Sequence, residues 1–525
     1  MRTTQYAWRW LVGAVVLALV LIGTASGVRS LPRPGVRPSP ATLDKFVYLP
    51  LISRSYPSYD WLQFNGDPQH SGNNTLETTI TSGNVVSLTQ LFQVSLPGTA
   101  DGAPVYLRAV STTLGIKDLV FVTTKAGHIV ALEAHTGGTI WSKQNAAGLC
   151  RINQGSTPCY TTSSPAIDPN WQFVYSYGLD GKVHKYQVGD GSEVISSSWP
   201  ETTTLKPEDE KGSPPLTMAT VSSVTYLYAA NGGYPGDQGD YQGHITAINL
   251  SDGTQRVFNA MCSNQTVHFN YSSPDCPDVQ SAIWARSAVV YLSDTNKIYM
   301  ATGNGTFNPA SHYWGDTVFA LNPDGTGLNG DPLKTYTPVN YQHLQDTDQD
   351  IGSTNVALLP TAITSTVTHL AMEGGKDAVL RLIDLDALSG SVGSTGGEVF
   401  SMAVPQGGEV LTASAVWVNP DDHSTWVFVA NDNGISGLQV TYSGSGVPQL
   451  TFRWKKNNGG TSPIVANGVL FQAGPNNIYA RDPKTGNVLW QDSTIGGIHW
   501  ESPVVVNGVV YITDENAHLT AYALN

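Results

Sequence analysis

Charge is scarce in this chain: of 525 residues only 13% are Asp, Glu, Lys or Arg. Bases are scarcer than acids. The first 60 residues hold seven Lys or Arg and two acids, which leaves 20 bases against 39 acids beyond them, a net charge of −19. A polyanionic backbone is held by basic grooves, so this balance argues against nucleic-acid binding, and an anionic bilayer surface is disfavoured for the same reason. Signature motifs are missing too. There is no Gly-x-Ser-x-Gly elbow, no His-Glu-x-x-His, no phosphate-binding loop and no Cys-x-x-Cys-His haem attachment sequence. The twelve His residues are scattered, which argues against hydrolytic metal chemistry. What the chain does have is 53 Gly and 31 Pro within a 40% apolar composition. That is too turn-rich for a helical bundle and too apolar for disorder.

Long apolar runs are absent except at the start. Arg2 and Arg9 precede a run from Trp10 to Gly23, followed by Thr24, Ala25, Ser26 and Gly27. Residues 1–27 are read as an export signal, cleaved or, in the alternative, kept as the only membrane anchor. Residues 28–58, with Pro32, Pro34, Pro38 and Pro40, read as an extended tether to a folded body over 59–525. The four cysteines all lie beyond the signal, in near-neighbour pairs whose spacings fit no zinc motif. In an oxidising compartment, local disulfides Cys150–Cys159 and Cys262–Cys276 are expected, out of three connectivities.

The body repeats itself. From about residue 88 a theme recurs: an Xaa-Pro start, an alternating apolar strand, a short turn, a second strand ending Ala-x, then a Thr-Gly or Asp-Gly turn into a strand with Trp. In VFVTTKAGHIVALEAHTGGTIW and GVLFQAGPNNIYARDPKTGNVLW, Thr136, Gly137 and Trp141 correspond to Thr485, Gly486 and Trp490. Weaker copies turn at Asp190-Gly191, Asp252-Gly253 and Asp324-Gly325. Each unit is a small antiparallel meander that cannot bury both faces alone, so the units must stack. Eight units begin near residues 99, 159, 212, 280, 347, 408, 459 and 497, and they predict an all-β, eight-bladed propeller of four-stranded blades. A two-sheet sandwich or two smaller propellers is the competing arrangement, disfavoured by the repeat count and by the lack of a mid-chain linker. The last unit stops at Asn525, before its Trp strand, and LTQLFQV at Leu88–Val94 aligns with that missing strand. An N-terminal strand is therefore expected to close the ring.

The A-x-D-P-x-T-G-x-x-x-W pattern at Ala480–Trp490 resembles the tryptophan-docking repeat of the PQQ-type propellers, the superfamily of the quinoprotein alcohol dehydrogenases. The resemblance covers about residues 60–525. It is specific for fold and less so for activity, because the superfamily also holds non-catalytic scaffold propellers. In the dehydrogenases PQQ stacks on a Trp in the central funnel, beside a Ca2+ ion, with an Asp base for the alcohol proton. SAIWARSAVVYLSDTNKIYMATGNGTFN is similar to the segment with the stacking Trp and an Asn calcium ligand, which places Trp284 and Asn304 in those roles. YQHLQDTDQDIGS resembles the catalytic-Asp segment, with Asp350 the better match and Asp346 second. Asp346, Asp348 and Asp350 also alternate as if to hold a hard cation themselves, but Ile351 stands where an EF-hand loop needs Gly. EGGKDAVLRLIDLD implies a cofactor-contacting role for Lys376, with Arg286 a further base. Each role has a structural counterpart: a packing aromatic at Trp284, a left-handed turn residue at Asn304, a solvated acidic loop at 346–350, and a turn lysine at 376.

Departures from the family pattern set the functional expectation. The adjacent cysteine pair that caps PQQ in many of these enzymes is absent. Where the family has a Glu calcium ligand the chain reads GGYPGDQGDYQG, in which Asp237 or Asp240 substitutes out of register. Without a haem motif, electrons would leave through a separate protein. The leading expectation is an exported, non-catalytic binding or scaffold propeller at the cell surface or envelope, holding a protein or polysaccharide. The alternative is a PQQ- and Ca2+-dependent dehydrogenase of alcohols or polymer hydroxyls. The two readings separate on whether Trp284, Asn304, Asp350 and Lys376 meet in one pocket.

Overall fold

The computed structural model describes residues 58–145, 148–152, 155–269, 275–287, 289–388 and 395–525. The expected signal (1–27) and all but the last residue of the expected tether (28–58) lie outside these described residues. Among them, no helix is long and apolar enough to cross a membrane.

Eight antiparallel sheets follow one another along the chain: blade 1 (105–144), blade 2 (166–202), blade 3 (210–259), blade 4 (290–336), blade 5 (357–403), blade 6 (415–456), blade 7 (464–492) and blade 8 (504–524). Six have four strands, as the repeats predict. Blade 3 gains a fifth, Glu210–Gly212, paired with Asn231–Gly233, and blade 7 gains Asn73–Asn74, parallel to Val465–Ala466. Blade 8 supplies three strands from the C-terminus and takes Leu88–Ser95 as its fourth, paired antiparallel with His518–Leu524. The expected N-terminal closing strand is in place, which leaves the ring no open edge there.

Alternation along each strand makes the ring cohere. In blade 1, Val105, Leu119 and Phe121 pack on Ile167 and Val174 of blade 2. Their neighbours Tyr106, Val120 and Val122 turn the other way, toward Val505 and Tyr511 of blade 8. A blade is thus buried on both faces, which is why its inner strands read as nearly continuous apolar runs. Comparable clusters join blades 2 and 3, 3 and 4, 4 and 5, 5 and 6, 6 and 7, and 7 and 8.

The repeat tryptophans lock neighbouring blades at the rim. Trp141 of blade 1 donates its Nε1–H to the Val188 carbonyl of blade 2 at 2.9 Å, and Trp454 of blade 6 donates to the Pro483 carbonyl of blade 7 at 2.8 Å. Trp490 of blade 7 reaches the Leu88 carbonyl on the closing strand at 3.0 Å. Trp141 and Trp454 each sit on a bare turn, at Gly191 and Gly486. A Cβ on Gly191, whose φ is +67°, would lie 2.5 Å from the Trp141 ring. The turns at Asp190-Gly191 and Thr485-Gly486 therefore supply both a positive φ and a flat seat.

Both expected disulfides form, with Cα–Cα separations of 4.9 Å for Cys150–Cys159 and 5.9 Å for Cys262–Cys276. The first closes a hairpin before blade 2, and the second closes the long loop between blades 3 and 4.

Candidate functional site

The segments that enter the blades, and the turns between their inner strands, surround a cavity of about 330 Å³. That volume lies at the lower end of the ~300–1,000 Å³ usual for small-molecule sites. Trp284, Asn304, Asp350, Lys376 and Asp237 all line it. Apart from Arg286 and Asp240, six residues were given site roles from the sequence, and five of them are brought together, from blades 3, 4 and 5. The sixth, Asp346, stays on an exposed helix face, where its Oδ1 accepts from Gln342 at 2.9 Å.

The acidic run is split by local backbone structure. Tyr341–Thr347 is the one α-helix among the described residues, and Asp348 ends it in a left-handed conformation with φ 54°. This C-terminal turn drives the chain inward. Ile351 drops into the core between blades 4 and 5, and Asp350 is buried at 1% exposure while Asp346 and Asp348 remain exposed. Neither the solvated loop nor an alternating cation loop describes all three acids.

Asp350 is the electrostatic centre of the cavity. The Lys376 ammonium lies 2.7 Å from its Oδ2 and 2.7 Å from Asp348 Oδ1. Trp284 Nε1 approaches Asp350 Oδ1 at 3.3 Å, and Lys376 Nζ sits 5.2 Å from the centre of the Trp284 ring. Gly303 lets the indole and carboxylate meet: a Cβ there would come within 3.1 Å of Trp284 Nε1 and 3.3 Å of Asp350 Oδ1. Burial raises the Asp350 pKa from 3.8 to about 6, against the opposing pull of Lys376. Behind it, Asp316 is raised to about 8 by burial and by the Asp350 charge. Lys376 is held above the ordinary lysine value; burial opposes this, but Asp350 and Asp348 outweigh it.

Asn304 is not among the residues with positive φ, so it is not the left-handed turn residue of the structural alternative. Its side chain faces the two carboxylates. With the amide nitrogen turned inward it donates to Asp348 Oδ1 at 2.8 Å and Asp350 Oδ2 at 3.0 Å. With the oxygen turned inward, three oxygens converge at those spacings, about the 3 Å that separates adjacent ligands on a Ca2+ ion bound at 2.3–2.6 Å. The donor set of amide and carboxylate oxygens is of the kind a hard cation takes, but the Lys376 ammonium already bonds two of these oxygens, Asp348 Oδ1 and Asp350 Oδ2, so a metal there requires that ammonium to move aside. Asp237 also reaches the cavity, where its Oδ1 accepts from Tyr241 at 2.7 Å. Asp240 does not line it.

Sequence reasoning missed Lys211, Tyr160, Tyr234 and Trp500, which also line the cavity. The extra strand of blade 3 pairs Lys211 with Gly232 and delivers its ammonium 4.4 Å from the Tyr160 ring centre and 5.6 Å from that of Tyr234. Burial lowers its pKa to about 8. Arg286 is buried as well, donating to the carbonyls of Thr162 at 2.8 Å and Asp101 at 3.2 Å, with its Nε left unpaired. The cavity thus has three cations, where the sequence suggested one with a second in reserve. No spacing motif could have found Lys211, whose position depends on a strand the other repeats lack.

Residues 61–232, 114–323 and 440–525 match the family described as outer membrane protein assembly factor BamB; the first two windows overlap, and together the three take in more than half of the chain. The chain belongs to this family of PQQ-like repeat propellers. A search of curated proteins returns no match. Among solved structures, quinohemoprotein alcohol dehydrogenase ADHIIG from Pseudomonas putida HK5 is similar at 13% identity and a TM-score of 0.61, over 89% of this chain and 80% of that one. The quinohemoprotein alcohol dehydrogenase of Comamonas testosteroni has a TM-score of 0.60 at 13% identity, over 89% and 80% of the two chains. A europium-containing methanol dehydrogenase gives a TM-score of 0.60 at 13% identity, over 89% of this chain and 98% of that one. At such identity the likeness is one of fold.

Proposed function

We propose that the cavity binds a planar, carboxylate-bearing quinone of the PQQ type with a hard cation, and that the protein is an exported dehydrogenase of alcohols or polymer hydroxyls. The observation that carries this reading is the meeting of Trp284, Asn304, Asp350 and Lys376 in one cavity with Lys211 and Arg286. A packing role explains any one of these residues. It does not explain a buried carboxylate, a partly exposed indole and three cations around one void.

When bound, the quinone supplies a two-electron acceptor whose reactive carbonyl a cation polarises. Asn304, Asp350 and Asp348 would hold that cation, Ca2+ or a lanthanide like the europium named for the methanol dehydrogenase. Trp284 offers a flat apolar face for stacking. Lys211, Arg286 and Lys376 set positive charge against the cofactor's carboxylates. Asp350 is the base that takes the hydroxyl proton on one of its oxygens. Burial raises its proton affinity above that of an exposed aspartate, and a cation held by the same carboxylate would pull that affinity back down. Lys376 and Trp284 fix its orientation. With no haem attachment sequence in the chain, electrons would have to leave through a separate protein.

A binding or scaffold role, with a protein or polysaccharide at the envelope as partner, is the second reading. It is favoured by the assembly factor in the family's description and by the Lys376 ion pairs, which already satisfy Asp350. Calorimetric titration of PQQ into the purified protein, with and without Ca2+ or a lanthanide, separates the two. Cation-dependent binding that Trp284→Ala abolishes supports the dehydrogenase. Absence of binding in every condition refutes it in favour of the scaffold.

A further inference from the structure

A second cluster lies outside the cavity, where the loop closed by Cys262–Cys276 returns to blade 3. His268 on that loop is only 8% exposed. Its Nδ1 is bonded to Glu210 Oε1 at 2.8 Å, while its Nε2 has no hydrogen-bond partner. That unpaired nitrogen faces Asp240 Oδ2 at 3.4 Å and Asp275 Oδ1 at 3.5 Å, and the three ligand atoms all lie within 4.8 Å of one another.

We propose that His268, Asp240 and Asp275 form a binding site for a divalent ion of the Zn2+ class that ties the disulfide loop to blade 3. The distances are long for hydrogen bonds. They suit two ligands on one ion: zinc bonds of about 2.0–2.2 Å to nitrogen and oxygen at a tetrahedral angle put the ligand atoms about 3.4 Å apart. Glu210 takes the second-shell position, a carboxylate on the far ring nitrogen that fixes the tautomer and aims Nε2 at the ion. The charge balance points the same way. With His268 neutral, as a metal ligand is, three carboxylates, Asp240, Asp275 and Glu210, meet one ammonium, that of Lys206, which bonds Asp240 Oδ2. A divalent cation neutralises the remainder; without the ion these carboxylates favour the protonated imidazole instead.

Chain geometry builds the cluster. His268 holds a left-handed backbone with φ 54°, and its carbonyl accepts from Leu205 N at 2.7 Å. The disulfide anchors Cys276, the residue next to Asp275. The Asp275 side chain is 70% exposed, so a fourth ligand position is open to water. None of His268, Asp240, Asp275 and Glu210 lines the cavity, so the site stands whether or not a quinone binds.

The test is titration of the full-length protein, stripped with chelator, with zinc chloride alone, read by calorimetry and by metal content after gel filtration. Asp275→Asn, His268→Gln and Asp350→Asn are run in parallel, with circular dichroism as the fold control. The expected result is one zinc equivalent that weakens at least tenfold in Asp275→Asn and His268→Gln and is unchanged in Asp350→Asn. Lys206→Met, which removes the competing ammonium, tightens it. Asp275 is exposed, so its variant keeps the assay interpretable should His268→Gln fail to fold. No zinc in the wild type, or equal uptake by wild type and Asp275→Asn, overturns the proposal.

Discussion

Removal of the Lys376 ammonium is the sharpest probe of the cavity's electrostatics. Asp350 has a pKa of about 6 in the folded chain against the ordinary 3.8. The native state therefore binds its proton more tightly than the unfolded state does. Stability from this group is lost as pH rises from about 4 to about 6, and the loss is complete above that. In Lys376→Met the cation holding that pKa down is gone, so the value climbs further and the loss continues toward higher pH. Each unit of extra shift costs about 1.4 kcal/mol. A pKa of 8 or more in the variant makes its penalty at pH 8 exceed that at pH 5 by up to about 3 kcal/mol. The assay is urea unfolding of wild type and variant at pH 5 and pH 8, followed by tryptophan fluorescence. An equal penalty at both pH values would refute the assignment of Lys376 as the charge partner of Asp350.

The rim indoles and the loop disulfide give two more tests. Trp141, 7% exposed, bonds blade 2 through Val188, so Trp141→Ala should lose about 3–5 kcal/mol; Trp171→Ala, at a 54% exposed position, should lose little, and equal losses in thermal unfolding would contradict the interlock. Joint replacement of Cys262 and Cys276 by Ser opens a loop with a separation of 14 residues and should cost about 3 kcal/mol, read as a lower urea midpoint at constant slope.

Much of the architecture was legible in the chain. Alternating strands, Asp-Gly and Thr-Gly turns and the missing last strand are local features whose spacing is set by the backbone, so they announced eight blades and a closing strand. The cysteine pairs were legible for the same reason, as each closes a short loop. Trp284, Asn304, Asp350, Lys376 and Asp237 were legible through resemblance. Their shared cavity was not, because it exists only once blades 3, 4 and 5 take their places in the ring.

The structure also split what the sequence presented as one run. Asp346, Asp348 and Asp350 alternate in the chain, yet a single helical turn with a left-handed end leaves the first outside the cavity and buries the last. Lys211 reaches the cavity on a strand outside the repeat, and His268, Asp240 and Asp275 meet through a disulfide loop with no spacing rule. Local patterning by itself determined the blade, its turns and the closure of the ring, since these follow from period-two burial and turn chemistry. Only the tertiary structure decided which ionisable groups lose their water and which charges they face. Burial and proximity are properties of the closed ring, and they turn an ordinary aspartate into one that titrates near pH 6.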